Sequence, residues 1–99
     1  MIRGTTPTLT FKLPFDCSVI DILNISFAQY NTVVLEKDFY DCEIKGNEIS
    51  VTLTEDDTLK FDCGEHAEIQ IRVGIGEQRL ASQIMKMSVD RVLKDGILQ

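Results

Sequence analysis

The chain has 99 residues, a formal net charge of −6 at pH 7, and 43% hydrophobic against 26% charged residues. This length suits one domain, and the composition indicates a soluble globular protein, because no run approaches the ~18 apolar residues of a membrane-spanning helix. The negative net charge disfavours nucleic acid as a partner, since phosphates are bound by clustered Lys and Arg.

The N-terminal segment predicts a strand followed by a turn. Residues 8–13 alternate polar and apolar side chains, which is typical of a strand with one buried face. Pro14 cannot donate a hydrogen bond to a neighbouring strand and is expected to end it. A turn at residues 15–18 is then expected to place Val19 and Ile20 over one end of the core.

A hairpin is predicted next, with strands at residues 23–27 and 33–37. Its register stays open at this point. A three-residue loop places Phe27 opposite Leu35, whereas a two-residue loop places Phe27 opposite Val34.

A second hairpin is better specified, because Gly46-Asn47 lies between two alternating runs. Glycine in the first of two loop positions favours a type II′ turn. Pairing Lys45 with Glu48 places every apolar side chain of both strands on one side of the sheet. The expected pairs are Ile44 with Ile49, Cys42 with Val51, and Tyr40 with Leu53.

The segment after this hairpin predicts a crossover between two sheets. Thr54 can cap a helical turn, and the three acidic residues at 55–57 favour the positive end of a helix dipole. Leu59 and Phe61 are expected to close the core there. Three consecutive carboxylates point in different directions, unlike those of a calcium loop, so no cation site is expected.

Residues 67–75 alternate most strictly and predict the central strand. Ile69, Ile71 and Val73 share one face, so that face is expected to be buried and the other solvated. This pattern is typical of an antiparallel sheet in a two-layer protein, because strands buried on both faces have unbroken apolar runs.

The last predicted strand is antiparallel to the central strand but changes phase. A two-residue turn at Gly76-Glu77 pairs Val73 with Leu80 and Ile69 with Ile84. The later apolar residues lie on odd positions, which requires either a bulge near residues 84–85 or a strand that moves to the other sheet.

Seven short strands with turn signals every eight to twelve residues predict an all-β, two-layer antiparallel, immunoglobulin-like Greek-key sandwich over residues 1–99. The chain has no Trp, and no cysteine pair is expected in facing strand centres. The comparison with antibody domains therefore concerns architecture only.

Residues 90–99 continue past the last predicted strand and hold large apolar side chains with no place in the core. We expect this segment, called the tail below, to dock on a neighbouring subunit as an edge strand or an apolar strip. The alternative is that the tail folds back as an eighth strand. The candidate contact residues are Val92, Leu93, Ile97 and Leu98.

Three cysteines, Cys17, Cys42 and Cys63, are an odd number at wide spacing, which argues against disulfides and fits a reducing compartment. We interpret them as small apolar fillers. Cys63 and His66 have the spacing of half a zinc site, but the second half is missing, so neither a metal nor another cofactor is expected.

Charge is unevenly distributed along the chain. Residues 36–68 hold eleven acidic residues and three lysines, whereas residues 69–99 hold five basic and three acidic residues. Two interpretations stay open: a solvated acidic surface that aids solubility, or acidic and basic patches that meet in a repeating assembly.

Four stretches resemble small prophage-encoded proteins of Gram-positive gut bacteria, which are similar to immunoglobulin-like modules of phage baseplates. They are residues 3–11 (RGTTPTLTF), 53–61 (LTEDDTLKF), 68–73 (EIQIRV) and 89–96 (VDRVLKDG). The resemblance implies a non-enzymatic structural protein of a phage tail or baseplate. Such a protein contacts other phage structural proteins, and a homo-oligomer is a further option. It also implies a place in the host cytoplasm during assembly and then in the virion, and the N-terminus shows no secretory signal.

Two other functions compete with this one. Catalysis is not expected, because the chain has one histidine, no nucleophile elbow and no phosphate-binding glycine loop. A host-receptor or carbohydrate-binding module is the alternative, with Tyr30, Phe39 and Tyr40 as the surface aromatics it would need.

Overall fold

Two antiparallel sheets, of three and five strands, pack against each other in a computed structural model that describes all 99 residues. The strands are β1 Thr8–Lys12, β2 Ile22–Gln29, β3 Thr32–Asp38, β4 Cys42–Lys45, β5 Glu48–Thr52, β6 Ala67–Ile75, β7 Gln78–Ala81 and β8 Met85–Met87. A helix, α1, spans Glu55–Leu59, and 3₁₀ turns lie at Cys17–Val19 and Phe39–Asp41. The all-β two-layer sandwich is confirmed.

The strand order leaves open edges on both sides of the sandwich. The small sheet has the order β1-β5-β4 and the large sheet β3-β2-β6-β7, with β8 also paired to β6. In the constant-type immunoglobulin fold the second strand joins the sheet of the first, whereas here β2 lies in the large sheet. One side of the sandwich therefore has β3 and β4 as edges, and the other has β1 with β7 and β8.

The core lies between the two sheets, with β2 and β6 at its centre. The central strand has the predicted bounds, and its register with β2 places Phe27 beside Ile69 and Ile25 beside Ile71. The ring of Phe27 meets that of Phe61 edge to face, with centroids 6.0 Å apart. The buried apolar side chains are Cys17, Ile20, Leu23, Ile25, Phe27, Leu35, Ile49, Val51, Leu53, Phe61, Ala67, Ile69, Ile71, Val73 and Val89.

The β2–β3 hairpin combines features of both predicted registers. Its turn has two residues, Tyr30 and Asn31, with φ of 54° and 60°. A β-bulge after the first two pairs skips Val34 and places Phe27 opposite Leu35. The extra residue turns Leu35 into the core, where it is buried, so core packing decides the register.

The β4–β5 hairpin confirms two of the three predicted pairs. Ile44 faces Ile49 and Cys42 faces Val51, and Gly46 has the positive φ of 59° that the turn requires. The pairing of Tyr40 with Leu53 was wrong. Tyr40 lies in a 3₁₀ turn and is 92% exposed, because a capping box bends the chain before β4 begins.

The last part of the large sheet is split into β7 and β8. Val73 faces Leu80 as predicted, but Ile69 faces Met85, so the expected pairing with Ile84 was wrong. Ser82 occupies the break: its hydroxyl accepts a hydrogen bond from the Ile71 amide at 3.0 Å. Both segments stay on the edge of β6, which agrees with a bulge and not with a strand that changes sheet.

The turn after β1 packs differently from the prediction. Asp16 caps the 3₁₀ turn by accepting a hydrogen bond from the Ser18 amide at 3.0 Å. Cys17 and Ile20 are buried, whereas Val19 is 51% exposed. The capped turn thus directs Cys17 inward in place of Val19.

Helix α1 forms the predicted crossover and holds a charged side chain out of solvent. Thr54 and Asp57 form a reciprocal capping box, and Lys37 of β3 lies 2.8 Å from the Asp57 carboxylate. Burial alone would raise the pKa of Asp57, but the hydrogen bonds from Lys37 and Thr54 outweigh it, so this pKa lies below its ordinary value of 3.8.

Asp57→Asn is expected to lower the free energy of unfolding by about 1–3 kcal/mol at pH 7, because Lys37 loses its charged partner. Asp56→Asn, an exposed neighbour on the same turn, should change it by less than about 0.5 kcal/mol. Since the pKa of folded Asp57 is depressed, its stabilisation is present above pH 3.8 and is lost as pH falls through the folded value. Urea unfolding at pH 7 and pH 3 measures both effects. If Asp57→Asn lowered the free energy of unfolding equally at the two pH values, the result would contradict this account.

Candidate interaction surfaces

The tail leaves the sandwich after β8 and lies beside the N-terminal segment. Asp90 forms a parallel bridge with Ile2, and residues 91–99 form no strand. Beyond Asp90, two polar contacts hold the tail: Asp95 lies 3.0 Å from the Arg3 guanidinium, and the Leu98 amide donates to the Glu55 carboxylate at 2.8 Å. The tail is thus attached to the domain without extending a sheet.

The four candidate residues of the tail differ in exposure. Val92 is half-buried beside Gly4. Leu93, Ile97 and Leu98 are 90%, 44% and 74% exposed. The structure therefore does not bring the four together in the core, and three of them offer apolar surface to a partner.

A groove of about 550 Å³ opens between the edge strands β1 and β7–β8. Its walls come from the segment after β1 and from β7 to β8, and its floor comes from β6. The apolar lining residues are Leu13, Pro14, Phe15, Ile71, Val73, Leu80, Ala81 and Met85. Lys12 is the one charged residue in the lining. This groove can accept an apolar side chain whose neighbouring residues are polar or acidic.

The groove is not visible in the sequence, because its cause is the unequal size of the two sheets. A three-stranded sheet cannot cover a five-stranded one, so all four residues of β7 are exposed, including Leu80 at 43%. The local signals were Pro14, which ends β1 early, and the phase change after Leu80. Neither tells which strands share a sheet.

The two sides of the sandwich differ in charge. On the groove side, strands β1, β7 and β8 contain Lys12, Arg79 and Lys86 and no acidic residue. The opposite side, from β3 to β4, contains Glu36, Asp38, Asp41 and Glu43 with Lys37 and Lys45. Lys37 is already paired with Asp57, so that side is the more acidic. We call these the basic side and the acidic side.

A second, polar cavity of about 280 Å³ lies at the tip of the β2–β3 hairpin. Tyr30 is 59% exposed there. Loss of hydration, followed by the negative charges of Asp62 and Glu65, raises the pKa of Tyr30, so its hydroxyl stays protonated and can donate a hydrogen bond. The lining residues are Tyr30, Asn31, Glu65, His66, Glu68 and Lys86.

The three cysteines are free thiols in different environments. Cys17 is buried, Cys42 is half-buried and Cys63 is exposed, so the interpretation as an apolar filler does not fit Cys63. Burial, followed by the nearby charges of Asp41 and Asp38, raises the pKa of Cys42 to about 11. No three His, Cys, Asp or Glu side chains are grouped as metal ligands.

Thiol titration of the folded protein at pH 8 is expected to give one fast group, Cys63. Cys17 and Cys42 should react slowly, because burial raises the pKa of both and leaves little thiolate. Denatured protein should show three thiols, and Cys63→Ser should remove the fast phase alone. Fewer than three thiols after denaturation without oxidant would contradict the free state.

The surfaces described above can hold apolar and charged side chains of another protein, and the polar cavity can hold a hydroxylated ligand. No helix in the structure is long and apolar enough to cross a membrane. Comparison of the chain with protein-family models, curated proteins and solved structures finds no match.

Proposed function

We propose that the chain is a non-enzymatic structural or assembly protein of a phage or prophage, part of a tail or baseplate. Its partners are other phage structural proteins, including copies of itself, and it needs no cofactor. It resides in the host cytoplasm during assembly and then in the virion. The four sequence stretches that resemble small prophage-encoded proteins supply the phage context.

The observation that carries this proposal is the exposed apolar surface on a sandwich with open edges. The groove beside β1 and β7 is bordered by strands whose outer N–H and C=O groups have no partner strand. Leu93 and Leu98 add apolar surface on the tail. Apolar patches and open edges of this kind are where small β domains bind other chains.

Deletion of the gene in a bacterium that carries it within a prophage tests the proposal. After induction, electron microscopy should show particles with a defective or missing tail part, and the gene supplied in trans should restore them. Particles of normal form and infectivity from the deletion strain would refute the proposal.

Truncation after Asp90 is expected to leave the thermal midpoint within about 4 °C of the full chain, because Val92 alone among the apolar tail residues named above is half-buried. The larger species in light scattering should become fewer, since the exposed leucines add to the contact with a partner. A full-length control, Leu93→Ser with Leu98→Ser, should behave like the truncation. A monomer that loses several degrees of stability would instead assign the tail to the core.

A host-receptor or carbohydrate-binding function is the second candidate, favoured by the polar cavity at Tyr30. An exposed aromatic ring beside carboxylates and an amide can stack on a sugar and hydrogen-bond its hydroxyls. A glycan array tests this function, with Tyr30→Ala as the matched variant. An array without hits would remove the candidate.

A further inference from the structure

The acidic side presents one aromatic side chain almost wholly to solvent. Tyr40 is 92% exposed on the 3₁₀ turn Phe39–Asp41, which links β3 of the large sheet to β4 of the small sheet. Asp38, Asp41 and Glu43 lie next to it in the chain. Tyr40 is therefore an exposed aromatic side chain with acidic neighbours, on the connection between two open edge strands.

Hydrogen bonds hold the backbone of the turn that carries Tyr40. Asp38 accepts a hydrogen bond from the Tyr40 amide at 2.9 Å, and Asp41 accepts one from the Asp38 amide at 2.9 Å. The ring of Tyr40 meets that of Phe39 edge to face at 5.8 Å, and Phe39 packs on the core. A turn with a fixed backbone loses little conformational freedom on binding, which favours a contact.

The groove on the basic side complements this projection in chemistry and in position. It is apolar inside and has Lys12 in its lining, and Arg79 lies on the outer face of the adjoining strand β7. Lys86 of β8 lines the polar cavity with Glu65 and Glu68 and is not part of the groove's surroundings. Arg79 donates hydrogen bonds only to main-chain oxygens of its own turn, so its charge has no acidic partner. The groove, like Tyr40, lies between two open edge strands.

We infer that the occupant of the groove is Tyr40 of a second copy of this chain. This inference rests on the proposed function, since it names one of the partners. The acidic side of one copy meets the basic side of the next, with Asp38, Asp41 and Glu43 near Lys12 and Arg79. Two acidic sides repel each other, so copies associate head to tail and not through identical surfaces.

The edge strands are matched in length for such a contact. β4 has four residues against five in β1, and β3 has seven residues against four and three in β7 and β8. Head-to-tail contacts of this kind close into a ring or extend as a filament.

Sedimentation velocity of the purified full chain over a concentration series tests the inference. Wild type should form dimers and larger species. Tyr40→Ala, on one surface, and Leu80→Glu, on the other, should each weaken association by about tenfold or more without a change in thermal midpoint, because both side chains are exposed. Tyr40→Phe keeps the ring and should associate like wild type.

Mixing the two variants gives the sharpest result. Leu80→Glu retains an intact Tyr40, and Tyr40→Ala retains an intact groove, so the mixture should form dimers but no longer species. Wild type that stays monomeric, or a Tyr40→Ala protein that associates like wild type, would overturn the inference. Association that is lost on truncation after Asp90 but kept in Tyr40→Ala would also overturn it, and would leave the proposed function standing.

Discussion

Phe27→Ala is expected to lower the free energy of unfolding by about 3–5 kcal/mol. Phe27 is fully buried on β2, one of the two central strands of the large sheet, and its ring packs edge to face on Phe61. Its removal takes away apolar contacts and leaves a cavity between the sheets that neighbouring strands cannot fill by small shifts. A domain of this size has a stability of about 5–15 kcal/mol, so this variant should be close to unfolding.

Phe11→Ala provides the matched control, since Phe11 lies on the edge strand β1 and is half-buried. Phe11→Ala should lower the free energy of unfolding by less, about 1–2 kcal/mol, because solvent replaces part of the ring contact. Urea unfolding followed by circular dichroism measures both variants. Equal losses for the two would show that Phe27 is not central to the core.

Gln29→Leu is expected to lower the free energy of unfolding by about 2–4 kcal/mol. Gln29 is buried, and its amide nitrogen donates to the carbonyl oxygens of Asp62 and Glu65 at 2.8 Å and 3.0 Å. Its side-chain oxygen accepts from the Asp62 amide at 2.8 Å. Leucine fits the volume but leaves these three backbone groups without partners.

Gln70→Leu is the control for this prediction, because half-buried Gln70 makes one such bond, to the Ser82 carbonyl oxygen at 3.1 Å. Gln70→Leu should lower the free energy of unfolding by about 1 kcal/mol or less. Hydrogen exchange adds a local readout, since the Asp62 amide should lose protection in Gln29→Leu. Unchanged protection there, with stability within 0.5 kcal/mol of wild type, would contradict the role of Gln29.

Alternation of apolar and polar residues was sufficient to predict a strand and its bounds wherever one face of the strand is buried and no bulge interrupts the strand. The bounds of β6 followed from Ile69, Ile71 and Val73, because side chains of a strand point to opposite faces in turn. Glycine at the first loop position set the register of two hairpins, at Gly46 and Gly76, since these turns need a positive φ there.

The failures came from local hydrogen bonds and bulges, which a two-residue period does not encode. Asp38 accepts a hydrogen bond from the Tyr40 amide, and this bond curls the chain where a plain alternation predicts an extended run. Asp16 accepts one from the Ser18 amide, and this bond sets which side chain of the predicted turn is buried. Val34 and Ser82 mark irregularities whose place depends on which side chain the core can accept. Tyr40 consequently lies at the surface, although the sequence predicts it opposite Leu53.

The candidate surfaces were predictable in part. Composition indicated the tail, because Leu93 and Leu98 follow the last strand with no core position left for them. The uneven charge along the chain was also visible, and the fold turns it into opposite charges on opposite sides of the sandwich. The groove could not be predicted without the strand order, since only that order shows β1 and β7 as facing edges.

Quantitative mass spectrometry of gradient-purified phage particles tests the central claim most directly. The particles would come from induction of a bacterium that carries this gene within a prophage. The account predicts that the chain sediments with the particles at a fixed molar ratio to the other structural proteins. Its absence from particles that contain those proteins, with the chain found only in the unassembled fraction, would contradict the account.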